Sequence, residues 1–219
     1  MPDYEYESKA TAMGYSFVCG VDEAGRGPLM GPVVAAACVL PKGIIIEGLN
    51  DSKKLTEKKR EKLYDEICEK ALSYCIALST PEEIDEINIL EASLQAMRRS
   101  IAGLSIQPDF VLVDGNINRG FLQPAKAIVS GDATSQSIAA ASILAKVTRD
   151  RLCMELDSKY PQYGFKKHKG YPTKAHKLAV YVNGPCPEHR RSFLSFLERD
   201  REKLEGWLSE MREAESDGQ

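Results

Sequence analysis

Two apolar segments separated by a short glycine- and proline-rich connection restrict the fold more than any other feature of the chain. Residues 33–40 form a continuous apolar run, with Gly31 and Pro32 before it and Pro41 after it. Such a run is typical of a fully buried strand. Residues 16–22 predict another strand just before the connection, so the two segments together indicate a β-hairpin.

Beyond this hairpin, predicted helices and strands alternate. The clearest helix begins at Thr80, which forms a capping box with Glu83 and is followed by Pro81 in the first turn. Helices are predicted at residues 57–72, 80–103 and 137–150, and strands at residues 73–80, 110–114 and 125–130. Residues 159–176 and 183–193 are interpreted as basic loops, followed by a charged helix. This order predicts an α/β fold with a mixed central sheet flanked by helices.

The chain length favours one globular domain. Its 219 residues, 43% of them hydrophobic, can bury a core without disulfides or structural metals. We predict a flexible N-terminal arm over residues 1–14, a central domain over residues 15–191 and a C-terminal helical extension over residues 192–219. Residues 213–219 are predicted to form a disordered tail.

The sequence also indicates where the protein works. The longest apolar run, residues 33–40, is far shorter than the ~18 residues that a membrane-spanning helix needs. The N-terminus is charged from its third residue, so no export signal is predicted. The six cysteines form no CxxC pair, which favours reduced thiols. We therefore expect a cytoplasmic protein without membrane association.

Positive charge is concentrated in one part of a chain whose formal net charge is -3. Residues 142–191 contain eleven Lys and Arg but only four Asp and Glu, together with all three histidines. Such asymmetry indicates an anionic partner for the basic part, and nucleic acid is the commonest one. A solvated helix face would produce the same pattern, so charge alone leaves both interpretations open.

Four carboxylates stand where α/β folds build their sites. Asp22 and Glu23 follow the first predicted strand, Asp114 ends the strand at 110–114, and Asp132 lies just before the helix at 137–150. Side chains at strand ends are held rigidly and still reach solvent. Converging carboxylates repel one another, and oxygen ligands select hard cations such as Mg2+ or Mn2+. No His or Cys flanks these acids, which argues against zinc.

Each acid also has a purely structural interpretation. For Asp132 on its own, a helix cap or a turn former is the favoured interpretation. Neighbouring residues of a strand point to opposite faces, so Asp22 and Glu23 can serve one site only if the chain turns directly after them. Ala24 and Gly25 are well placed to supply that turn.

The glycines at positions 25, 27 and 31 do not match a known phosphate-binding loop. A dinucleotide fingerprint needs GxGxxG followed by a helix, whereas here the spacing is GxGxxxG and a strand follows. A P-loop needs Gly-Lys followed by Ser or Thr, which is absent. Two interpretations remain: a plain hairpin turn, or a loop whose backbone approaches a ligand beside Arg26, which can bind phosphate.

Six sequence blocks, in order along residues 18–193, resemble the bacterial ribonuclease HII family. They are GVDEAGRGPLMGPVV, NDSKKLT, VLVDG, SGDATSQSIAAASILAKVTRD, HKGYPTKAH and GPCPEHRRSF. DEAGRG alone is moderately specific, whereas the ordered set is very specific. Ser130 departs from the family form, which has lysine there, but this position carries no proposed ligand.

The resemblance implies an RNase H-like catalytic domain over residues 15–191. It implies an endonuclease that hydrolyses the RNA strand of RNA/DNA hybrids and cuts 5′ of ribonucleotides embedded in DNA, leaving 3′-hydroxyl and 5′-phosphate ends. Such an enzyme removes ribonucleotides and processes RNA primers during DNA replication and repair. It is expected to use Mn2+ or Mg2+, with two ions present when substrate is bound. We expect a monomer with no obligate protein partner.

By residue match, the resemblance also implies the site. The catalytic and metal-binding acids are Asp22, Glu23, Asp114 and Asp132. The residues expected to contact substrate are Gly25, Arg26, Gly27 and Tyr171, with Lys167, Lys169 and the loop at Arg190 and Arg191 on its phosphates. Within this analogy, Asp22 bridges the two ions, Glu23 and Asp114 bind the ion at the leaving group, and Asp132 binds the ion that activates water. Asp150 is interpreted as a residue outside the metal ligands.

Two other functions remain open from the sequence. Another nuclease of the same broad fold would cut all-DNA substrates, and the glycine loop next to the acids disfavours it. A non-catalytic nucleic-acid-binding module would explain the basic segment. It would leave four carboxylates facing a polyanion without purpose.

Overall fold

The computed structural model describes residues 2–216, and its centre is a five-stranded sheet in the order β3-β2-β1-β4-β5. The strands are β1 (Val18–Ala24), β2 (Val33–Val39), β3 (Ser73–Ser79), β4 (Phe110–Asp114) and β5 (Ala125–Ile128). β2 pairs antiparallel with β1 and β3, whereas β4 pairs parallel with β1 and β5. The predicted hairpin and the predicted mixed α/β sheet are therefore confirmed.

Helices cover both faces of this sheet. They are α1 (Glu5–Ala12), α2 (Glu57–Lys70), α3 (Pro81–Ala102), α4 (Gln136–Lys159), α5 (Phe165–His168), α6 (Lys174–Asn183), α7 (Phe196–Arg199) and α8 (Arg201–Ser216). Successive side chains of a strand point to opposite faces, so Ala35 and Ala37 of β2 pack with α3, while Ala36 and Cys38 pack with α2 and α4. Burial on both faces explains why the run at 33–40 is continuously apolar.

The small residues at the start of α4 allow this helix to lie very close to β1. A Cβ atom at Gly20 would lie 2.1 Å from the backbone carbon of Ser137, so no larger residue fits at this crossing. Gly20 precedes Asp22 by two positions. The crossing therefore brings the N-terminal end of α4 next to the strand end that carries the first two acids.

The C-terminal third contains more helix than the sequence pattern predicts. The helix predicted at 137–150 continues to Lys159, and the segments interpreted as basic loops contain α5 and part of α6. These helices pack with α8 in a separate apolar cluster around Phe165 and Leu204, which local sequence patterns do not reveal. The strand predicted at 125–130 ends at Ile128, because Ser130 adopts a left-handed conformation with φ of +54°.

The two ends of the chain also differ from expectation. Within the predicted N-terminal arm, residues 5–12 form α1, whose Glu7 and Ala10 are buried. At the other end, α8 extends to Ser216 and so overlaps residues 213–216 of the predicted tail. The rest of the predicted tail, residues 217–219, lies outside the described residues. Within residues 2–216, no helix is long and apolar enough to cross a membrane.

Candidate active site

Three chain segments bring carboxylates to one edge of the sheet. Asp22 and Glu23 lie near the end of β1, and Asp114 is the last residue of β4, the parallel neighbour of β1. Asp132 lies in a one-turn helix, Gly131–Ala133, between β5 and α4. Asp114 joins two of these segments, because its Oδ1 accepts hydrogen bonds from the backbone N–H groups of Gly131 at 2.7 Å and Asp132 at 3.3 Å.

The turn predicted at Ala24 and Gly25 is present, and it brings both neighbouring acids into one cleft. Gly25 has a φ of +99°, a conformation that favours glycine. Asp22 and Glu23 then line the same cleft of about 470 Å³, together with residues 25–27 of the glycine loop, which is defined here as residues 25–31. Alternation along the strand therefore does not separate these two acids.

Burial and mutual repulsion raise the pKa of three acids in the cluster. The pKa of Asp22 lies well above its ordinary value, first because its carboxylate is desolvated and then because Glu23 and Asp114 are close. Desolvation also raises the pKa of Glu23, although Arg26 opposes it. Desolvation, followed by the charge of Asp114, raises the pKa of Asp132 to about 6. The cluster thus resists full ionisation, and a cation among the acids would favour the charged forms.

The donor set fits a hard divalent cation, because all four acids offer carboxylate oxygens. In the described part of the chain, however, no three Asp, Glu, His or Cys side chains are already arranged to hold one ion. Their oxygens are engaged elsewhere: Glu23 Oε1 accepts from Arg26 at 3.3 Å, and Asp114 Oδ1 accepts from two backbone N–H groups. Joint binding of one ion by three of these acids therefore requires their carboxylates to come closer together.

Positive side chains that the sequence analysis did not single out lie beside these acids. Lys53 lines the same cleft, and although burial opposes it, the charge of Asp132 raises the pKa of this lysine. Arg60 and Lys146 form ion pairs with Asp150, at 3.4 Å and 2.6 Å. Asp150 is thus already neutralised by two cations, which favours its interpretation as a residue outside the metal ligands. Lys53 belongs to the NDSKKLT block, but no residue spacing in the sequence indicates that its side chain lies beside the acids.

A buried arginine holds the glycine loop in place. Arg190 is 0% exposed, and its guanidinium donates hydrogen bonds to the backbone carbonyls of Gly25, Arg26, Pro28 and Gly31 at 2.6–2.9 Å. Burial lowers the pKa of Arg190 to about 9, so it stays protonated at neutral pH. The prediction that Arg190 holds substrate phosphates is therefore wrong, because its donors bind the protein's own backbone.

A second buried arginine links the glycine loop to the segment that carries Tyr171. Arg149 of α4 donates from Nη1 to the carbonyl of Lys169 at 3.0 Å and from Nη2 to the carbonyl of Met30 at 3.3 Å. A Cβ atom at Gly25 would lie 2.0 Å from Nε of Arg149. Glycine is therefore required at this position for space as well as for its φ.

Two buried histidines connect the Tyr171 segment to the turn before Arg190. The carbonyl of Tyr171 lies 3.0 Å from Nδ1 of His176, so this nitrogen carries the hydrogen. Nε2 of His176 is then the acceptor, and Nε2 of His189 donates to it at 3.1 Å. Nδ1 of His189 in turn accepts from the backbone N–H of Cys186 at 3.1 Å. Both rings are thereby neutral, with defined tautomers.

We expect the contribution of His176 and His189 to the free energy of unfolding to be lost as the pH falls from about 6.5 to about 4. Burial is the main cause that lowers the pKa of His176 and His189 to about 4, whereas histidine in an unfolded chain titrates near 6.5. The unfolded state therefore binds more protons in this interval, so the stability given by the neutral rings is complete above about pH 6.5 and lost toward pH 4.

Denaturant unfolding of the wild type and of His176→Gln checks this expectation. The destabilisation caused by the substitution should be largest near neutral pH and should shrink as the pH approaches about 4.5. The reason is that protonation of histidine in the unfolded state removes the free energy of unfolding that the neutral rings give the wild type. A destabilisation that does not change with pH would contradict the linkage.

The side chains expected to contact substrate lie on adjoining segments. Tyr171 is 45% exposed, and a Cβ atom at Gly27 would lie 3.5 Å from Cε1 of its ring, so the ring lies against the glycine loop. Arg26 is exposed on the same loop. Lys167 is exposed on α5, and Lys169 follows it in a left-handed conformation with φ of +50°. The structure thus brings Tyr171 next to the glycine loop and places both lysines close in sequence to Tyr171.

Comparison with known proteins identifies close relatives of this chain. A family model described as Ribonuclease HII matches residues 19–196. The Ribonuclease HII of Acinetobacter baylyi is 62% identical over 177 residues, which cover 80% of this chain and 94% of the relative. The Ribonuclease HII of Aliivibrio fischeri strain MJ11 is 56% identical over 193 residues, which cover 88% of this chain and 91% of the relative.

Solved structures show the same fold. Ribonuclease H2 from Pyrococcus horikoshii OT3 superimposes with a TM-score of 0.67 at 31% identity, covering 87% of this chain and 99% of that one. RNase HII from Archaeoglobus fulgidus, solved as a complex with PCNA, gives a TM-score of 0.61 at 25% identity, with coverage of 80% and 93%. Bst-RNase HIII in complex with Mn2+ shares the fold at a TM-score of 0.58 and 18% identity, with coverage of 65% and 55%.

Proposed function

The chain belongs to the ribonuclease HII family, and we propose that it performs the family's reaction with Asp22, Glu23, Asp114 and Asp132. It is a ribonuclease H, an endonuclease that hydrolyses the RNA strand of RNA/DNA hybrids. The specific proposal concerns how this chain's own residues bind the ions, recognise the ribonucleotide and place the phosphate to be cut.

One observation carries the proposal: the acids and the glycine loop follow one another directly along the chain. The strand β1, which carries Asp22 and Glu23, ends just before the turn at Gly25, and these three residues line one cleft. A backbone phosphate bound at the acids would therefore have its neighbouring sugar against the glycine loop. Recognition of the sugar would then place the scissile phosphate, which couples specificity to cleavage.

The acids are proposed to hold two divalent cations, Mn2+ or Mg2+, when substrate is bound. Such ions neutralise charge on the scissile phosphate and activate a water molecule. Asp22 would hold both ions, Glu23 and Asp114 would hold the ion that neutralises charge on the leaving group, and Asp132 would hold the ion that activates water. The raised pKa values of Asp22, Glu23 and Asp132 support cation binding at this cluster, because a bound cation would favour their charged forms. The Mn2+ bound by Bst-RNase HIII, which shares the fold, supports the same class of ion.

Asp132→Asn is expected to weaken Mn2+ binding to the protein in complex with a non-hydrolysable hybrid by about tenfold or more, because a charged ligand becomes a neutral amide. Calorimetric titration of this complex with Mn2+ measures this change directly. Asp65→Asn is the matched control, because Asp65 is an exposed acid on α2 that is not part of the cluster. Equal affinities of Asp132→Asn and the wild type would remove Asp132 from the ligand set.

The glycine loop is proposed to detect the 2′-hydroxyl, the group that distinguishes RNA from DNA. This hydroxyl both donates and accepts a hydrogen bond, so backbone N–H and C=O groups can test it where no side chain intervenes. The glycines on either side of Arg26 allow that approach. The buried guanidinium groups of Arg190 and Arg149 donate hydrogen bonds to carbonyls of the loop. The backbone groups of the loop are therefore already oriented when substrate arrives.

Tyr171→Ala is expected to slow cleavage at a single ribonucleotide by about 5- to 150-fold, because stacking of a nucleotide on an aromatic ring contributes about 1–3 kcal/mol. We propose that the exposed ring stacks on the sugar beside the ribonucleotide. Tyr171→Phe keeps the ring and should retain most of the rate. Equal rates for Tyr171→Ala and the wild type in single-turnover assays would exclude the stacking role.

Lys167 and Lys169 are proposed to bind substrate phosphates without regard to base sequence. Both precede Tyr171 on the same segment, where ammonium groups can reach the backbone of a bound duplex. Contacts of this kind displace counterions from the duplex, so hybrid binding should weaken as salt concentration rises.

In the cell, we infer that the enzyme acts in the cytoplasm on hybrids and on ribonucleotides left in DNA by replication and repair. A monomer suffices for this reaction, because the four acids, the glycine loop and Tyr171 all come from one chain. The complex with PCNA belongs to the Archaeoglobus fulgidus protein. The site described above requires no such partner.

A further inference from the structure

Asp132 differs from the other three acids because it does not lie on a strand. Its one-turn helix follows Ser130, whose φ of +54° lies in the left-handed region. A residue other than glycine keeps this conformation only when its surroundings impose it. The groups that surround this turn therefore determine where the Asp132 carboxylate stands.

Residues 2–12, here named the N-terminal segment, supply several of those groups. The backbone N–H of Asp3 donates to the carbonyl of Thr134 at 2.9 Å, and its carbonyl accepts from the N–H of Gln136 at 3.0 Å. The side-chain amide of Gln136 also donates to the carbonyl of Pro2 at 2.8 Å. The N-terminal segment thus pairs with the chain directly after Asp132, as a short parallel bridge.

Glu7 of α1 fixes the next residues of the same junction. The whole residue is 4% exposed, and its Oε1 accepts hydrogen bonds from Ser135 Oγ at 2.6 Å, from Ser137 Oγ at 2.6 Å and from the backbone N–H of Ser137 at 2.9 Å. Ser135 is the N-cap of α4, so the anion lies at the positive end of a 24-residue helix. Glu7 Oε2 is buried without a hydrogen-bond partner. Burying this oxygen costs free energy of folding that an apolar side chain packed at the same position would avoid.

The junction also reaches the acids on the sheet. The backbone of Ser137 lies so close to β1 that a Cβ atom at Gly20 would be 2.1 Å from it, and Gly20 precedes Asp22 by two positions. A shift of residues 135–137 would therefore change the separation between Asp132 and Asp22. Close contacts hold this part of the chain at both ends: the N-terminal segment contacts residues 134–137, and Ser137 packs against Gly20.

We propose that Glu7 is a positioning residue for Asp132, and that the N-terminal segment sets the separation between this acid and the acids on β1 and β4. This inference rests on the metal-binding role proposed for Asp132. The N-terminal segment precedes residues 19–196, the part of the chain that matches the family model. A carboxylate held in place before the ion arrives loses less conformational freedom on binding, so Glu7 contributes to metal affinity without contacting metal.

The test compares Glu7→Ala and Glu7→Gln with Glu5→Gln in the full-length protein. Glu5 is an exposed acid on the same helix, so its variant controls for loss of charge in α1. In Glu7→Ala we expect about tenfold weaker Mn2+ binding by calorimetry and about tenfold lower kcat with KM for hybrid unchanged, the size typical of groups that support metal ligands. Hydrogen exchange of residues 131–137 should also become faster. Glu7→Gln keeps an acceptor oxygen and should fall between Glu7→Ala and the wild type.

Two results would overturn the proposal. One is faster exchange of residues 131–137 with Mn2+ affinity and kcat unchanged, which would make the N-terminal segment purely structural. The other is an equal loss of affinity in Glu5→Gln. If Glu7→Ala does not fold, Glu7→Gln decides, and wild-type values of its affinity and kcat would refute the positioning role. Asp132→Asn distinguishes failure of the metal-binding role of Asp132 from failure of the positioning role of Glu7. Full Mn2+ affinity in Asp132→Asn would contradict the metal-binding role. Weakened affinity in Asp132→Asn, with wild-type affinity in the Glu7 variants, would contradict only the positioning role.

Discussion

Asp114→Asn should lower kcat on an RNA/DNA hybrid by about 10³-fold or more while the fold stays intact. Loss of a charged ligand at a phosphoryl-transfer site removes several kcal/mol of transition-state stabilisation, and about 1.4 kcal/mol corresponds to each factor of ten. The substitution should not weaken the fold, because an asparagine oxygen can still accept the backbone hydrogen bonds from Gly131 and Asp132. It also removes one charge from a cluster of mutually repelling acids, so the free energy of unfolding should be equal or higher.

Asp109→Asn provides a closely matched control for this experiment. Asp109 lies just before β4, at the opposite end of the strand from Asp114, and its carboxylate also accepts two backbone hydrogen bonds, from Ser16 at 2.7 Å and Phe17 at 2.9 Å. Its variant makes the same chemical change without touching the acid cluster, so turnover should be retained. Turnover of Asp114→Asn within tenfold of the wild type in Mg2+ would remove Asp114 from the catalytic group.

Arg190→Met should destabilise the protein by about 4 kcal/mol or more, because each carbonyl left without a donor costs about 1–3 kcal/mol. Methionine keeps much of the volume but leaves the carbonyls of Gly25, Arg26, Pro28 and Gly31 without their donor. For a chain of this size the unfolding midpoint should fall by about 10 °C or more. Arg190→Lys keeps the charge but cannot donate to all four carbonyls, so its unfolding midpoint should lie between those of Arg190→Met and the wild type.

Thermal unfolding followed by circular dichroism measures this effect. Arg191→Met is the control for stability, because Arg191 is the next residue and its side chain is exposed. We expect its midpoint to change by no more than about 2 °C, as is usual for surface substitutions. Similar midpoints for Arg190→Met and Arg191→Met would show that the buried guanidinium does not hold the glycine loop.

The sequence is most informative where structure follows from neighbouring residues. The run at 33–40 predicts a buried strand, because burial on both faces requires apolar residues at every position. The helix beginning at Thr80 is predicted because its capping box acts over three residues, and both of its hydrogen bonds are present. The position of Gly25 after Glu23 predicts the turn that brings Asp22 and Glu23 into one cleft.

Contacts between distant parts of the chain could not be predicted in this way. Arg190 is read from sequence as a phosphate-binding residue, because arginine in a basic loop is usually exposed, yet its partners lie up to 165 residues earlier in the chain. Glu7 belongs to a polar segment that indicates a flexible arm, and its partner Ser137 lies 130 residues later. In both cases a buried charge is satisfied by groups that only the folded chain brings together.

The most direct test of the coupling between sugar recognition and cleavage uses two labelled duplexes that differ by one 2′-hydroxyl. One duplex carries a single ribonucleotide in DNA and the other is all DNA, and each is incubated with Mg2+, with Mn2+ or with a chelator. We predict one cut on the 5′ side of the ribonucleotide, with 3′-hydroxyl and 5′-phosphate ends, only when metal is present, and no cut in the all-DNA duplex. Cleavage of the all-DNA duplex at a comparable rate, or cleavage that survives the chelator, would contradict the account.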